Sequence, residues 1–323
     1  MLLQRLKLLF FFAVLSWVYS TVAFGQAKED GEVLEKDIPL SVREVAPGLF
    51  FQYHHAESNN AWLVTHEGVL VIDTRQHPER AKELLAEIRK TTDQPIKWVI
   101  NTHFHGDHYF GNRVFKEVGA QFIAHVDTAV MMKTYFDEEM KRRMGYFKQR
   151  GYMPQAVKLV MPDITFEGSL HLTLGGQAVD VLYLGAGQNP GDAIVYFPKQ
   201  KVIFAGGPVA KDSWTNPSFT PSIPNWVDLL KTIQAMDAQI YLGGHGDVAS
   251  KEDLQREIEL LDYFDAGMRE AESKNLSVGE IIQQYKFERF KDFRNYYRLN
   301  IFIKNYDYTL RRGHPEVFLP SNP

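Results

Sequence analysis

Cysteine is absent from all 323 residues. The chain therefore has no disulfide, no thiolate metal ligand and no cysteine nucleophile, and its stability rests on its core and on whatever ion it binds. Positive charge is also short: 36 lysines and arginines face 40 aspartates and glutamates, a formal net charge of −4. With no basic stripe in the sequence, that balance gives no field for nucleic acid. There is no Gly-x-Ser-x-Gly elbow for a serine nucleophile and no glycine-rich phosphate loop. What is present, 45% hydrophobic and 24% charged residues, is the composition of a globular protein able to bury a large core.

The first 25 residues stand apart. Arg5 and Lys7 precede an apolar run at 8–18, and Ala23-Phe24-Gly25 puts small residues where a signal peptidase reads. The pattern predicts a signal peptide over 1–25, cleaved before Gln26, and so a periplasmic or secreted protein with no membrane attachment afterwards. An uncleaved anchor is the alternative, since residues 8–24 approach the length that spans a bilayer. Residues 26–40 read as a loose, polar leader.

Apolar, β-branched runs at 41–45, 49–53, 61–65 and 69–73, separated by turns at Pro47-Gly48 and Glu67-Gly68, read as strands. Ala81, Leu84, Leu85 and Ile88 recur at helical spacing behind Pro78, which predicts a helix over 78–90. A further strand is expected at 121–124. A second group of strands follows at 164–166, 170–174, 179–184, 193–197, 202–205 and 240–242, with a helix at 225–237 before the last. Between the groups, Met132, Phe136, Met140, Met144 and Phe147 mark a helix over 128–150 that suits either a lid over an apolar substrate or packing on the domain. Beyond Ser250 the chain reads as helical. Phe290, Phe293, Tyr297, Ile301 and Tyr308 suggest an aromatic stripe on one last helix, covering the domain or meeting a second copy.

One stretch concentrates the chemistry: Asn101-Thr102-His103-Phe104-His105-Gly106-Asp107-His108, directly after a short buried strand at 97–100. Three imidazoles and a carboxylate within six residues suit zinc, iron or manganese. His103 and His105 alternate and can point one way, while Gly106 lets Asp107 and His108 face another. That arrangement suggests two adjacent metal positions opening into a loop.

The stretch resembles the His-x-His-x-Asp-His signature of the metallo-β-lactamase superfamily. The resemblance covers the chain from about Ser41 to Gly246 and implies a four-layer αββα sandwich, over 41–249, with 250–323 as a helical extension packed on it. It implies that His103, His105, Asp107, His108 and the late His245 are metal ligands, and that Asp73, ending a strand, supports them from behind. Asp73 matches an Ile-Asp-Thr-Gly turn in which Arg75 replaces the usual glycine. Two other motifs are altered. In Gly185-Ala186-Gly187-Gln188-Asn189-Pro190-Gly191-Asp192, Gln188 stands where the family has a third histidine ligand, leaving at best a weak amide ligand. In Ala205-Gly206-Gly207, Gly207 stands where an aspartate bridges two ions. Losing that negative charge disfavours two dications side by side. Asp192 is expected to orient the Gln188 loop. His54, with His55, and His77 lie where the family approaches substrate.

With the signal-like start, the resemblance therefore implies an exported hydrolase with one zinc ion at Asp107, His108 and His245; a second ion is disfavoured, and iron or manganese are alternatives to zinc. Asp107 would act in catalysis on an ester, lactone or amide bond of a small molecule, β-lactams included. The alternative is a catalytically impaired binding module for a small molecule or a protein. Fold does not choose between them.

Overall fold

A computed structural model describes residues 41–311, except 55, 56, 216 and 218. The expected signal peptide and leader, and His55, lie outside the described residues. Among the described residues no helix is long and apolar enough to cross a membrane.

The first half lays down β1 (Ser41–Ala46), β2 (Leu49–Tyr53), β3 (Asn60–Thr65), β4 (Gly68–Ile72), helix α1 (Pro78–Thr91) and β5 (Ile96–Ile100). Helices α2 (Gly106–Tyr109) and α3 (Asn112–Glu117) then lead to β6 (Gln121–His125), the long α4 (Val126–Arg150) and β7 (Ile164–Phe166). These seven strands form one sheet in chain order. Antiparallel hairpins build its first part, and β4 to β7 pair in parallel because helical crossovers join them. The second half supplies β8 (Ser169–Leu174), β9 (Gln177–Leu182), β10 (Ile194–Phe197), β11 (Val202–Ala210), α5 (Ile223–Ala235) and β12 (Ile240–His245). Their sheet runs in the order β12-β11-β10-β9-β8.

Two-residue alternation sorts the side chains into layers. Leu70 and Ile72 of β4 face Val202 and Phe204 of β11 in the core between the sheets. From the opposite face of the first sheet, Val69, Val71, Val99 and Phe122 bury Ala81, Leu84 and Ile88 of α1 and Phe115 of α3. From the opposite face of the second, Ile203, Ala205 and Tyr241 meet Trp226 and Leu230 of α5 and Leu254 and Ile258 of α6 (Lys251–Ser273). Helix, sheet, sheet, helix: this is the αββα sandwich the sequence predicts.

The last segment differs from expectation. The stripe is not one helix. Phe287 and Asn295 take left-handed φ values of 48° and 62°, which break the chain into α7 (Val278–Gln284), two 3₁₀ turns and α8 (Leu299–Tyr306). Of the expected stripe, Phe290 and Phe293 are buried, Ile301 and Tyr308 are half-buried and Tyr297 is 61% exposed; α8 instead buries Phe302, Ile303 and Tyr306, which share a core with α5 and α6. The α4 face also resolves. Met132 and Phe147 are buried with Phe104, Tyr109 and Phe110, so the helix packs on the histidine motif itself, and Met144 is exposed.

Glu257 of α6 is buried and accepts the Ala210 N–H at 3.1 and 3.2 Å. Burial pushes its carboxyl up to about 8 from an ordinary 4.5. The folded chain thus keeps a proton that the unfolded chain loses, so stability falls as pH rises between those two values. Glu257→Gln is expected to flatten that loss and to be more stable than wild type at pH 9 by roughly 1–3 kcal/mol. Urea unfolding at pH 5 and pH 9 measures it; parallel pH profiles for the two proteins would show that the carboxyl is not responsible.

Candidate metal centre

Residues 101–105 form the expected loop after β5, and the motif then enters the short α2, whose first residue, Gly106, donates its N–H to the buried Glu139 of α4 at 2.8 Å. The segment is seated on the turn after β4: Thr74 N–H donates to His108 O at 2.7 Å and Gly111 N–H to Arg75 O at 3.1 Å. The contact is close enough that a Cβ on Gly111 would stand 1.9 Å from Thr74 O, so only glycine fits there.

Asp73, buried just beyond β4 with φ 59°, organises the histidines. Its Oδ1 accepts the Thr102 N–H at 2.9 Å; its Oδ2 accepts the Thr102 hydroxyl at 2.8 Å and His108 Nδ1–H at 2.6 Å. Because the Thr102 hydrogen points to Asp73, the Thr102 oxygen accepts from His103 Nδ1–H at 2.9 Å. One carboxylate thereby sets two tautomers, and both rings present an Nε2 lone pair. Burial pushes Asp73 up to about 7, against His103 and the Thr102 hydrogen bonds that hold it down. Burial also pushes His108 down to about 3, and His103 and His105 well below the usual imidazole range. Neutral imidazole is the form that binds metal.

Asp107 Oδ2, His108 Nε2 and His245 Nε2 converge. Asp107 and His245 approach to 3.1 Å, the two histidines to 3.4 Å, and Asp107 and His108 to 3.6 Å. Donors around one tetrahedral zinc, at about 2.0–2.1 Å from it, stand about 3.3–3.5 Å apart. These three residues are also the group of candidate ligands that the described structure brings together. They fit a single divalent ion.

The first metal position of a two-ion centre is incomplete. His103 Nε2 and His105 Nδ1 stand 3.2 Å apart, a spacing two ligands of one ion can share, but Gln188 and Gly207 replace the third histidine and the bridging aspartate. A Cβ at Gly207 would lie 2.2 Å from Gln188 Oε1. The Gln188 amide fills the space that an aspartate at 207 would need. It is braced as well: Asn189 Nδ2 donates to Gln188 Oε1 at 3.2 Å and to Asp192 Oδ1 at 3.1 Å, and the Thr220 hydroxyl donates to Gln188 O at 3.1 Å. Asp192 Oδ2 also accepts the Asn189 N–H at 2.8 Å. The two altered motifs are one fitted pair. Gly207→Asp alone is expected to cost about 1–3 kcal/mol by overpacking and to add no second ion. Gln188→His with Gly207→Asp should regain most of that stability. Denaturant unfolding with metal analysis decides it: purely additive losses would show that the sites are not coupled.

Other expected residues take structural places. His54 is buried; its Nδ1 accepts the Glu57 N–H at 2.9 Å and its Nε2 lies 3.3 Å from Arg80 Nη2. Burial and then Arg75 push it down to about 3. His77 caps α1 by accepting the Glu79 N–H, reaches Met153 O at 3.2 Å and stacks on Tyr152 at 4.5 Å. Neither ring is free to meet a substrate in this arrangement.

Sequence reading missed the cations around the site. Arg143 of α4 forms an ion pair with Asp107 Oδ1, leaving Oδ2 toward the histidines. Burial alone would raise Asp107; Arg143, then His108, outweigh it and hold the carboxyl well below its usual range. Next to Arg143, the fully buried Glu57 pairs with Arg75 and Arg80 and accepts the Tyr146 hydroxyl. The available signal was Glu139, Arg142, Arg143 and Tyr146, charged or polar residues interleaved with the Met-aromatic stripe of α4.

The comparisons fit this geometry. Residues 56–245 match the family model of the metallo-beta-lactamase superfamily. A linear primary-alkylsulfatase from Pseudomonas sp. is 24% identical over 256 residues, 68% of this chain but 48% of its own length. A type 2 metallo-beta-lactamase from Elizabethkingia meningoseptica is 25% identical over 211 residues, 64% of this chain and 76% of its own length. Among solved structures, a sec-alkylsulfatase from Pseudomonas sp. aligns with TM-score 0.70 and 18% identity over 84% of this chain and 50% of that one. A metallo-beta-lactamase from Pontibacter korlensis aligns with TM-score 0.56 and 22% identity over 69% and 99%. This chain spans about half the length of the alkylsulfatases it matches. With the family model covering more than half of its residues, the chain belongs to the metallo-beta-lactamase superfamily.

Proposed function

We propose that this chain is a one-ion hydrolase, zinc-dependent by preference, that cleaves an ester, lactone or amide bond of a small molecule. The alkylsulfatase relatives add sulfate esters to that range. The observation that carries the reading is the convergence of Asp107, His108 and His245, with Asp73 fixed behind His108. The chemistry such an ion supplies when bound is polarisation of the scissile group and acidification of water. The residues do the rest. Asp73 holds the His108 ring in one tautomer and orientation. Arg143 turns Asp107 so that one oxygen faces the histidines. His245, with 36% of its side chain exposed, is the solvent-facing edge where substrate enters. His103 is aligned through Thr102 and lies beside His108, with ring centroids 4.1 Å apart.

A second reading, a binding module descended from the enzyme, is favoured by one feature: Arg143 already neutralises Asp107. Export of the mature chain from Gln26 is part of the proposal and is supported by Arg5, Lys7 and the apolar run after them. The partner is a small molecule, not nucleic acid.

The test is turnover by the zinc-loaded mature chain on 4-nitrophenyl acetate, a γ-lactone, a chromogenic cephalosporin and an alkyl sulfate. Hydrolysis of at least one, lost in Asp107→Ala, supports the enzyme. Zinc bound with none of the four turned over supports the binding module.

A further inference from the structure

We propose that Arg143 is the specificity-determining residue for an organic oxyanion, a sulfate or carboxylate group carried by the ligand beside the Asp107–His108–His245 position. The inference rests on the one-ion reading and names the ligand class that reading leaves open.

The first ground is charge pairing. Every other carboxylate near Arg143 has its own partners. Glu57 is held by Arg75 and Arg80, Glu139 by Arg142 and the Gly106 N–H, and Asp73 by Thr102 and His108. Arg143 has Asp107 as its ion-pair partner among the described residues. Asp107 is also the one carboxylate of the candidate ion site. A divalent ion there therefore divides a single negative charge between itself and the guanidinium, and an anionic ligand restores the balance.

The second ground is geometry. Arg143 Nη2 meets Asp107, and Nη1 makes only a 3.5 Å contact to Gln76 Oε1. Its Nε is buried with no partner among the described residues. A guanidinium carries five N–H donors in a planar fork suited to two oxygens of a carboxylate or sulfate. With 24% of its side chain exposed, Arg143 is partly open to solvent while paired with Asp107. Glu57, by contrast, is fully enclosed by its arginines, so that neighbouring pair serves the fold.

Calorimetry on the zinc-loaded mature chain tests this, with hexyl sulfate, hexanoate and the neutral hexanol as probes and with zinc content measured on the same samples. Wild type should bind at least one anion and not hexanol. Compared at equal zinc loading, Arg143→Gln should weaken the anion about 10–100-fold, and Arg143→Lys should lie between, because it keeps the charge and loses the fork. A strong response to sulfate with none to hexanoate would assign a sulfate ester, and the reverse a carboxylate-bearing ligand. Zinc-loaded wild type that does not discriminate anions from hexanol, or Arg143→Gln with unchanged anion affinity, overturns the proposal and leaves the one-ion reading standing. Wild type that takes up no zinc overturns both, since Arg143 then keeps Asp107 to itself.

Discussion

Glu57→Ala is expected to destabilise the chain by about 3–5 kcal/mol, because it removes the buried counterion of Arg75 and leaves Arg80 with Glu83 alone of its two carboxylates. The side chain of Glu57 has no exposure, that of Arg75 2% and that of Arg80 9%. The Arg75 guanidinium is enclosed, whereas Arg80 reaches the exposed Glu83. The effect should extend to the metal centre. Arg75 sits at φ 74°, a conformation that glycine adopts without strain and other residues adopt at a cost. Its carbonyl accepts the Gly111 N–H that docks the histidine segment. Replacing Arg75 by glycine in the Glu57→Ala background removes one orphaned cation and the strain together, and should recover part of the loss. Urea unfolding of the two variants checks this. A loss below about 1 kcal/mol for Glu57→Ala would mean that the cluster is hydrated and contributes as little as a surface pair.

Asp73→Ala is the second large effect. Removing it leaves His108 Nδ1 without its acceptor and releases Thr102, so the tautomers of His108 and His103 are no longer set. Loss of such a supporting carboxylate lowers metal affinity about 10–100-fold. Competition against a chromophoric zinc chelator measures it. Asp73→Asn makes the comparison sharper, since its amide can accept from His108 with one atom only. An unchanged affinity in both variants would show that Asp73 supports the fold and not the site.

Much of this was legible in the sequence because it is local. Two-residue alternation in β4 and β11 assigned their faces, and the spacing of Ala81, Leu84 and Ile88 assigned α1. The compact histidine motif placed four candidate ligands and the resemblance a fifth, His245; of these, Asp107, His108 and His245 come together in space. What escaped was set by contacts distant in sequence. Arg143 reaches Asp107 from 36 residues away, and nothing in the local pattern separates it from Arg142, which pairs with Glu139. The fit of Gln188 against Gly207 is invisible to spacing: each reads as a separate loss, and only their proximity makes them one arrangement. The C-terminal stripe failed for a backbone reason, since side-chain periodicity does not report the left-handed residues Phe287 and Asn295. His54 was expected near substrate, yet its ring is buried and accepts the Glu57 N–H.

The central claim is that this member of the superfamily is built for one ion. The most direct measurement is metal content per chain by elemental mass spectrometry, on the mature protein purified with zinc and then freed of loosely bound ions. About one zinc per wild-type chain and almost none in His245→Ala is the expected result. Two ions in the wild type would contradict it by showing that Gln188 and Gly207 leave the first position open. No ion at all would contradict it the other way, with Arg143 as the permanent partner of Asp107.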